Sequence, residues 1–148
     1  MLADIALHVV ATKGGVQPSS ARRRHREIDV LPFESELRLM ATLNDGPAGR
    51  AVYVKGAPEA LLARCDSEIT PEGQKHLNAE PIRAAAAEMA ASGLRVLAMA
   101  YRPTTAERID QGLIADGLIF VGLQGMEDPV RPEAVEAIRA SHEAGIRV

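Results

Sequence analysis

Two basic side chains and one glycine offer most of the chemistry in this sequence. The runs at residues 37–43 and 50–55 have β-strand composition, and Asn44-Asp45-Gly46-Pro47-Ala48-Gly49 between them is dense in turn residues. A hairpin is the economical reading. If all of residues 44–49 form the loop, Leu43 faces Arg50, Met40 faces Tyr53 and Arg38 faces Lys55. Like charges directly across strands repel unless an anion sits by them, and a phosphate turns that penalty into an attraction. The plainer alternative is two long side chains splaying into water. Lys55-Gly56-Ala57-Pro58-Glu59 adds a cation at a strand end, a glycine that lets a ligand approach the backbone, and a helix start. The same glycine also suits a simple turn into the helix.

Other chemistries lack their residues. The sequence has no Walker A loop, no GxGxxG, no HExxH and no Cys or His cluster at metal-binding spacing. His8, His25, His76 and His142 are scattered, and no Ser–His–Asp arrangement follows from their spacing. Cys65 is the single cysteine, so an internal disulfide is excluded and a reduced, cytosolic setting is expected. Arg22, Arg23, Arg24 and Arg26 crowd a polar stretch with no interleaved aromatic, which reads as a solvated loop. With a net charge of −3, nucleic acid is not the expected partner.

These residues need a scaffold. The 148 residues suffice for one core. Aromatics make up only 3%, so Ala, Leu, Val and Ile must fill most of it. Leu2, Ile5, Val9 and Val10 recur at helical spacing until Gly14-Gly15. Residues 27–33 read as a strand, with Ile28, Val30 and Pro32 alternating against Glu27, Asp29 and Leu31. Residues 58–64 predict a short helix, and residues 71–91 an Ala-rich one offset at Pro81. Residues 94–101 and 118–126 return to strand composition. Residues 131–143 form a further helix, with Pro132 in its first turn and Val135, Ile138 and His142 on one face. Ile146-Arg147-Val148 resembles the start of another strand, so the end of the chain reads as part of a βαβ unit in a second domain. No apolar run approaches the ~18 residues that span a bilayer, and no signal peptide is expected.

Lys55-Gly56-Ala57-Pro58-Glu59 resembles the nucleotide-domain signature of P-type ATPases, and residues 60–65 continue in that manner. Pro32-Phe33-Glu34-Ser35, followed by Arg38 and Met40, is similar to the family's adenine-binding stretch. Gly93-Leu94-Arg95-Val96-Leu97-Ala98 resembles its later arginine-bearing strand. Asp128-Pro129-Val130-Arg131-Pro132-Glu133 looks like the hinge into the phosphorylation domain, with Val130 in place of a second proline. The style is closest to the calcium-pump-like branch.

The resemblance implies an α+β fold, an antiparallel β-sheet flanked by helices, with residues 1–127 as the nucleotide-binding domain. Residues 128–148 are then the hinge, carrying Asp128 and Arg131, and the first helix of an incomplete phosphorylation-domain segment. It also implies roles. Phe33 stacks on adenine, and Lys55 lies near the base and α-phosphate, with Gly56 giving close backbone access. Arg38 assists nucleotide binding, Arg95 pairs with phosphates, and Leu97 packs near base or ribose. Met40 and Ser35 belong to the adenine-binding stretch, although Ser35 stands where relatives often carry a basic residue. Asp4 takes the place of a glutamate that holds the adenine edge, in a segment that departs from the family's pattern. ATP, as Mg-ATP in the full-length protein, is the expected ligand. The partners implied are the phosphorylation, actuator and transmembrane domains of one longer chain. The phosphorylated aspartate and the magnesium-binding aspartates have no counterpart here, so the chain is expected to bind ATP without hydrolysing it. An interaction domain that kept the fold but lost ATP is a second reading. A small phosphatase is a third, lacking its DxD-like nucleophile.

Overall fold

The computed structural model describes residues 2–127 and 132–146, without the side chains of residues 2–4 and 132. The expected hinge residues Asp128 and Arg131, and the expected strand at Arg147-Val148, lie outside the described residues. The elements run α1 (Leu2–Lys13), α2 (Pro18–Arg24), β1 (Arg26–Glu34), β2 (Leu39–Gly46), β3 (Gly49–Gly56), α3 (Pro58–Leu62), β4 (Cys65–Thr70), β5 (Gly73–His76), α4 (Ala79–Ala91), β6 (Arg95–Pro103), β7 (Leu118–Met126) and α5 (Pro132–Glu143).

The strands form one seven-stranded sheet in the order β1-β2-β3-β6-β7-β4-β5. Its pairings are antiparallel except for β4 beside β7, which is parallel. The mixed fold read from the sequence is therefore the observed one, a largely antiparallel sheet with helices on it.

Period-2 alternation decides which face is buried. Leu39, Ala41 and Leu43 of β2 point to one side, as do Val52 and Val54 of β3 and Ala98 and Ala100 of β6. Leu61 and Leu62 of α3 close over this face, together with Ile114, Leu118 and Phe120. The small side chains at Ala98 and Ala100 let α3 approach β6 closely. Residues 104–117, between β6 and β7, are irregular but anchored. The Ile109 amide donates to Asp29 Oδ2 at 2.8 Å, and Arg102 Nη1 donates to the carbonyls of Leu113 and Asp116 at 3.3 and 3.1 Å. Arg50 Nη1 reaches the Ala106 carbonyl at 2.8 Å.

Several local expectations need correction. The β2–β3 loop is only Pro47-Ala48, so Met40 faces Lys55, Asp45 faces Arg50 and Gly46 faces Gly49. Pro47 suits the first corner, and Gly49 takes the left-handed geometry (φ 101°) that follows it. Asn44 and Asp45 look like loop residues but lie in the strand, where Asp45 Oδ2 sits 3.7 Å from Arg50 Nη2 across the ladder. In β1 a register shift between Glu27 and Asp29 reverses the expected alternation. Asp29 and Leu31 face Leu43 and Ala41, while Val30 is exposed. The Arg-rich loop is the helix α2, and residues 65–76 form the hairpin β4–β5, so the Ala-rich helix begins only at Ala79.

Candidate functional site

The other face of the sheet is open and carries the residues of interest. Antiparallel partners share a face, so Met40, Lys55 and Met99 lie side by side across β2, β3 and β6. Thr42, Tyr53 and Tyr101 form the next row, and the two tyrosine rings stack with centroids 6.3 Å apart. Leu97 pairs with Gln124 of β7 on the same side. A cavity of about 500 Å³ opens here, floored by Met40, Thr42, Tyr53, Lys55, Met99 and Gln124. Leu7, Val10 and Ala11 of α1 form its opposite wall. A largely apolar chamber with a lysine at its floor suits a flat, partly polar ring bearing an anionic tail.

The strand directions place the remaining residues. At one end of the sheet β1, β3 and β7 finish while β2 and β6 begin, as the pairings Glu34↔Leu39, Leu39↔Gly56, Gly56↔Ala98 and Arg95↔Met126 require. Phe33, Ser35, Arg38, Lys55, Gly56, Arg95 and Leu97 therefore converge on one rim, although they span much of the sequence. Met40 and Lys55 line the cavity. Leu97 and Arg95 follow Met99 on the same face of β6. Phe33 lies in the irregular stretch between Leu31 and Glu34, and the residue is 61% exposed. Asp4 belongs to α1, the helix that walls the cavity, and its side chain is outside the described residues.

Arg38 does not oppose Lys55. It sits just before β2 with φ 54°, and among the described residues no other non-glycine has a positive φ. Left-handed geometry costs an L-residue about 1–2 kcal/mol. Backbone bonds hold it there: its amide donates to the Glu34 carbonyl at 2.7 Å, and its carbonyl accepts from the Ala57 amide at 3.0 Å. The guanidinium turns to Glu59, with Nη1 2.6 Å from Oε1. Gly56 has a packing reason as well. A Cβ there would meet the Arg38 carbonyl oxygen at 2.4 Å and the Leu39 Cβ at 2.7 Å. The glycine therefore lets β3 pass beside the start of β2.

Sequence reasoning singled out Asp4 of α1 but not Tyr53, Thr42, Met99, Gln124 or the cavity-lining Leu7, Val10 and Ala11 of α1 as part of this site. Tyr53 and Met99 could have been found once Lys55 was placed, by stepping two residues along β3 and one strand across. Gln124 and the α1 wall carry no local signal, because they reach the cavity only through tertiary packing. Cys65 plays no part in it. The thiol is buried, and burial, aided by neighbouring Asp66, pushes its pKa up to about 11.

The sequence model of the family described as P-type ATPase, cytoplasmic domain N, matches residues 2–133. The chain is 45% identical over 146 residues to the cation-transporting ATPase pma1 of Synechocystis, covering 97% of this chain and 16% of that protein. It is 36% identical over 146 residues to a probable cation-transporting ATPase F of Mycobacterium bovis, again over 97% and 16%. Calcium-transporting ATPase 1 of Bacillus cereus is 33% identical over 151 residues, or 97% of this chain and 17% of that one. The chain thus spans about one sixth of the length of these curated relatives.

Proposed function

The chain belongs to the family of P-type ATPase cytoplasmic N domains, and on that premise we propose that it binds ATP and presents it to an aspartate elsewhere in a longer cation-transporting pump. The observation that carries this reading is the apolar cavity on the open sheet face, with Lys55 at its floor and Arg38 and Arg95 at the adjoining rim. An apolar chamber favours the base, and cations at its mouth favour the phosphates. Met40 and Leu97 would contact base or ribose, Phe33 would stack from the rim, and Ser35 and Asp4 would add polar contacts. Lys55 would meet the α-phosphate region, and Arg95 the phosphates beyond.

Phosphoryl transfer needs mainly position and charge neutralisation. This domain supplies position. β7 ends at the same rim, and Asp128 and Arg131, which follow it in sequence, would form the hinge. A nucleotide held there would point its phosphates toward the side on which the chain departs. The aspartate, the magnesium site that receives Mg-ATP and the ion path would belong to the phosphorylation, actuator and membrane parts of the same protein. Among the described residues no helix is long and apolar enough to cross a membrane. A pump of this kind would span the membrane through other segments and keep this domain in the cytoplasm.

Calorimetric or NMR titration with ATP, ADP and GTP tests the proposal. Saturable binding of adenine nucleotides, weakened roughly tenfold by Phe33→Ala in a folded chain, is expected. No binding up to millimolar ATP would leave an interaction domain that kept the fold without the nucleotide.

A further inference from the structure

The contact between Arg38 and Glu59 does not follow from the nucleotide reading alone. Both side chains are more than half exposed, at 55% and 57%, so the pair is no buried strut. The backbones behind them are nonetheless fixed. Arg38 is clamped at φ 54° by bonds to Glu34 and Ala57, with Gly56 packed against its carbonyl. Glu59 stands in the first turn of α3, whose Ala60, Leu61 and Leu62 are buried. The fold thus holds one carboxylate within bonding reach of a guanidinium while leaving both heads in solvent.

A left-handed arginine is an outlier at a position that glycine would fill without strain, and an outlier of this sort points to its side chain. We infer that Glu59 is a resident counter-ion for Arg38 which the phosphate tail of a nucleoside di- or triphosphate must displace, so that Glu59 lowers and tunes nucleotide affinity. The inference rests on the nucleotide-binding reading above. Glu59 carries one negative charge and meets Arg38 through a single nitrogen. A polyphosphate offers more charge and more acceptor oxygens, so it wins the guanidinium when present. An exposed ion pair is weak enough to be exchanged in this way. Glu59 also sits close enough to repel an approaching phosphate that is not yet paired, within a screening length of about 8 Å.

The test is titration of the 148-residue chain and its Glu59→Gln variant with ATP, ADP, AMP and adenosine. The expected result is roughly two- to fivefold tighter binding of ATP. The gain should shrink through ADP and AMP and vanish for adenosine. It should also vanish when Glu59→Gln is made in an Arg38→Gln background. A gain that persists without Arg38 would reduce Glu59 to a diffuse surface charge and overturn the inference. Weaker binding by Glu59→Gln would overturn it too, since Glu59 would then be pre-orienting Arg38 rather than competing for it. Normal ATP binding with no change in the variant removes the Glu59 inference alone. Absence of ATP binding in the unaltered chain removes both readings.

Discussion

Arg38 separates the demands of backbone and side chain at one position. Its φ of 54° suits glycine, while its guanidinium is the group the proposed site would use. Stability and binding should therefore respond differently to two truncations. Arg38→Gly relieves the left-handed strain, whereas Arg38→Ala keeps it and loses the same side chain. In denaturant unfolding, Arg38→Gly should be more stable than Arg38→Ala by about 1 kcal/mol. Both should bind ATP roughly tenfold more weakly than the unaltered chain, as expected for loss of a charge-assisted bond to phosphate. Full ATP affinity in Arg38→Gly would deny the side chain any role. Equal stability of the two variants would mean that the turn relaxes freely. The residue type and its place beside a basic strand end were legible in the sequence. Its partner was not, because Glu59 reaches Arg38 through a turn whose register depends on a loop of only Pro47-Ala48.

At the scale of elements, strong periodicity was readable and polar segments were not. β2, β3, β6 and β7 announce themselves through β-branched and apolar runs, and α5 through Pro132 and its spaced Val135 and Ile138. The hairpin β4–β5 is written in polar residues at the sheet edge, with β5 exposed along its length, so no inward alternation marks it. α2 is hidden by its arginines, which give a solvated helix the composition of a loop. The hairpin register slipped by two residues, an even number, so every side chain of β2 and β3 kept its expected face. Met40 and Lys55 thus reach the open face under either pairing. α1 has the least visible role, since Ile5, Val9 and Val10 remain 42–60% exposed yet Val10 lines the cavity. A helix so loosely applied can be altered without unfolding the sheet. Val10→Asp should leave the unfolding free energy within about 0.5 kcal/mol of the parent. It should weaken ATP and adenosine alike, by roughly three- to tenfold, because it puts a charge beside the base rather than the phosphates. A loss confined to ATP in calorimetry would place the base elsewhere.

For the whole molecule the question is how much of the chain the sheet needs. The core is built from β2, β3, α3, β6, β7 and the start of β4, with Ile114 from the irregular segment, and no residue of α5 joins it among the described residues. Val135 and Ile138 are 54% and 44% exposed on α5, so its apolar stripe finds no cover among the described residues. We read the stripe as belonging to a second domain that begins near residue 128, which makes residues 1–127 the folding unit. That division can be tested directly by removing residues 128–148. The shortened chain should unfold cooperatively, with stability changed by less than about 1 kcal/mol, because little apolar area leaves contact with the core. ATP affinity should stay within a factor of about two, since each proposed contact from Asp4 to Leu97 remains. Calorimetry and denaturant titration on the two chains measure both quantities. A collapse of cooperativity would show that α5 steadies the rim from which β7 departs, and the boundary would then lie further along the chain.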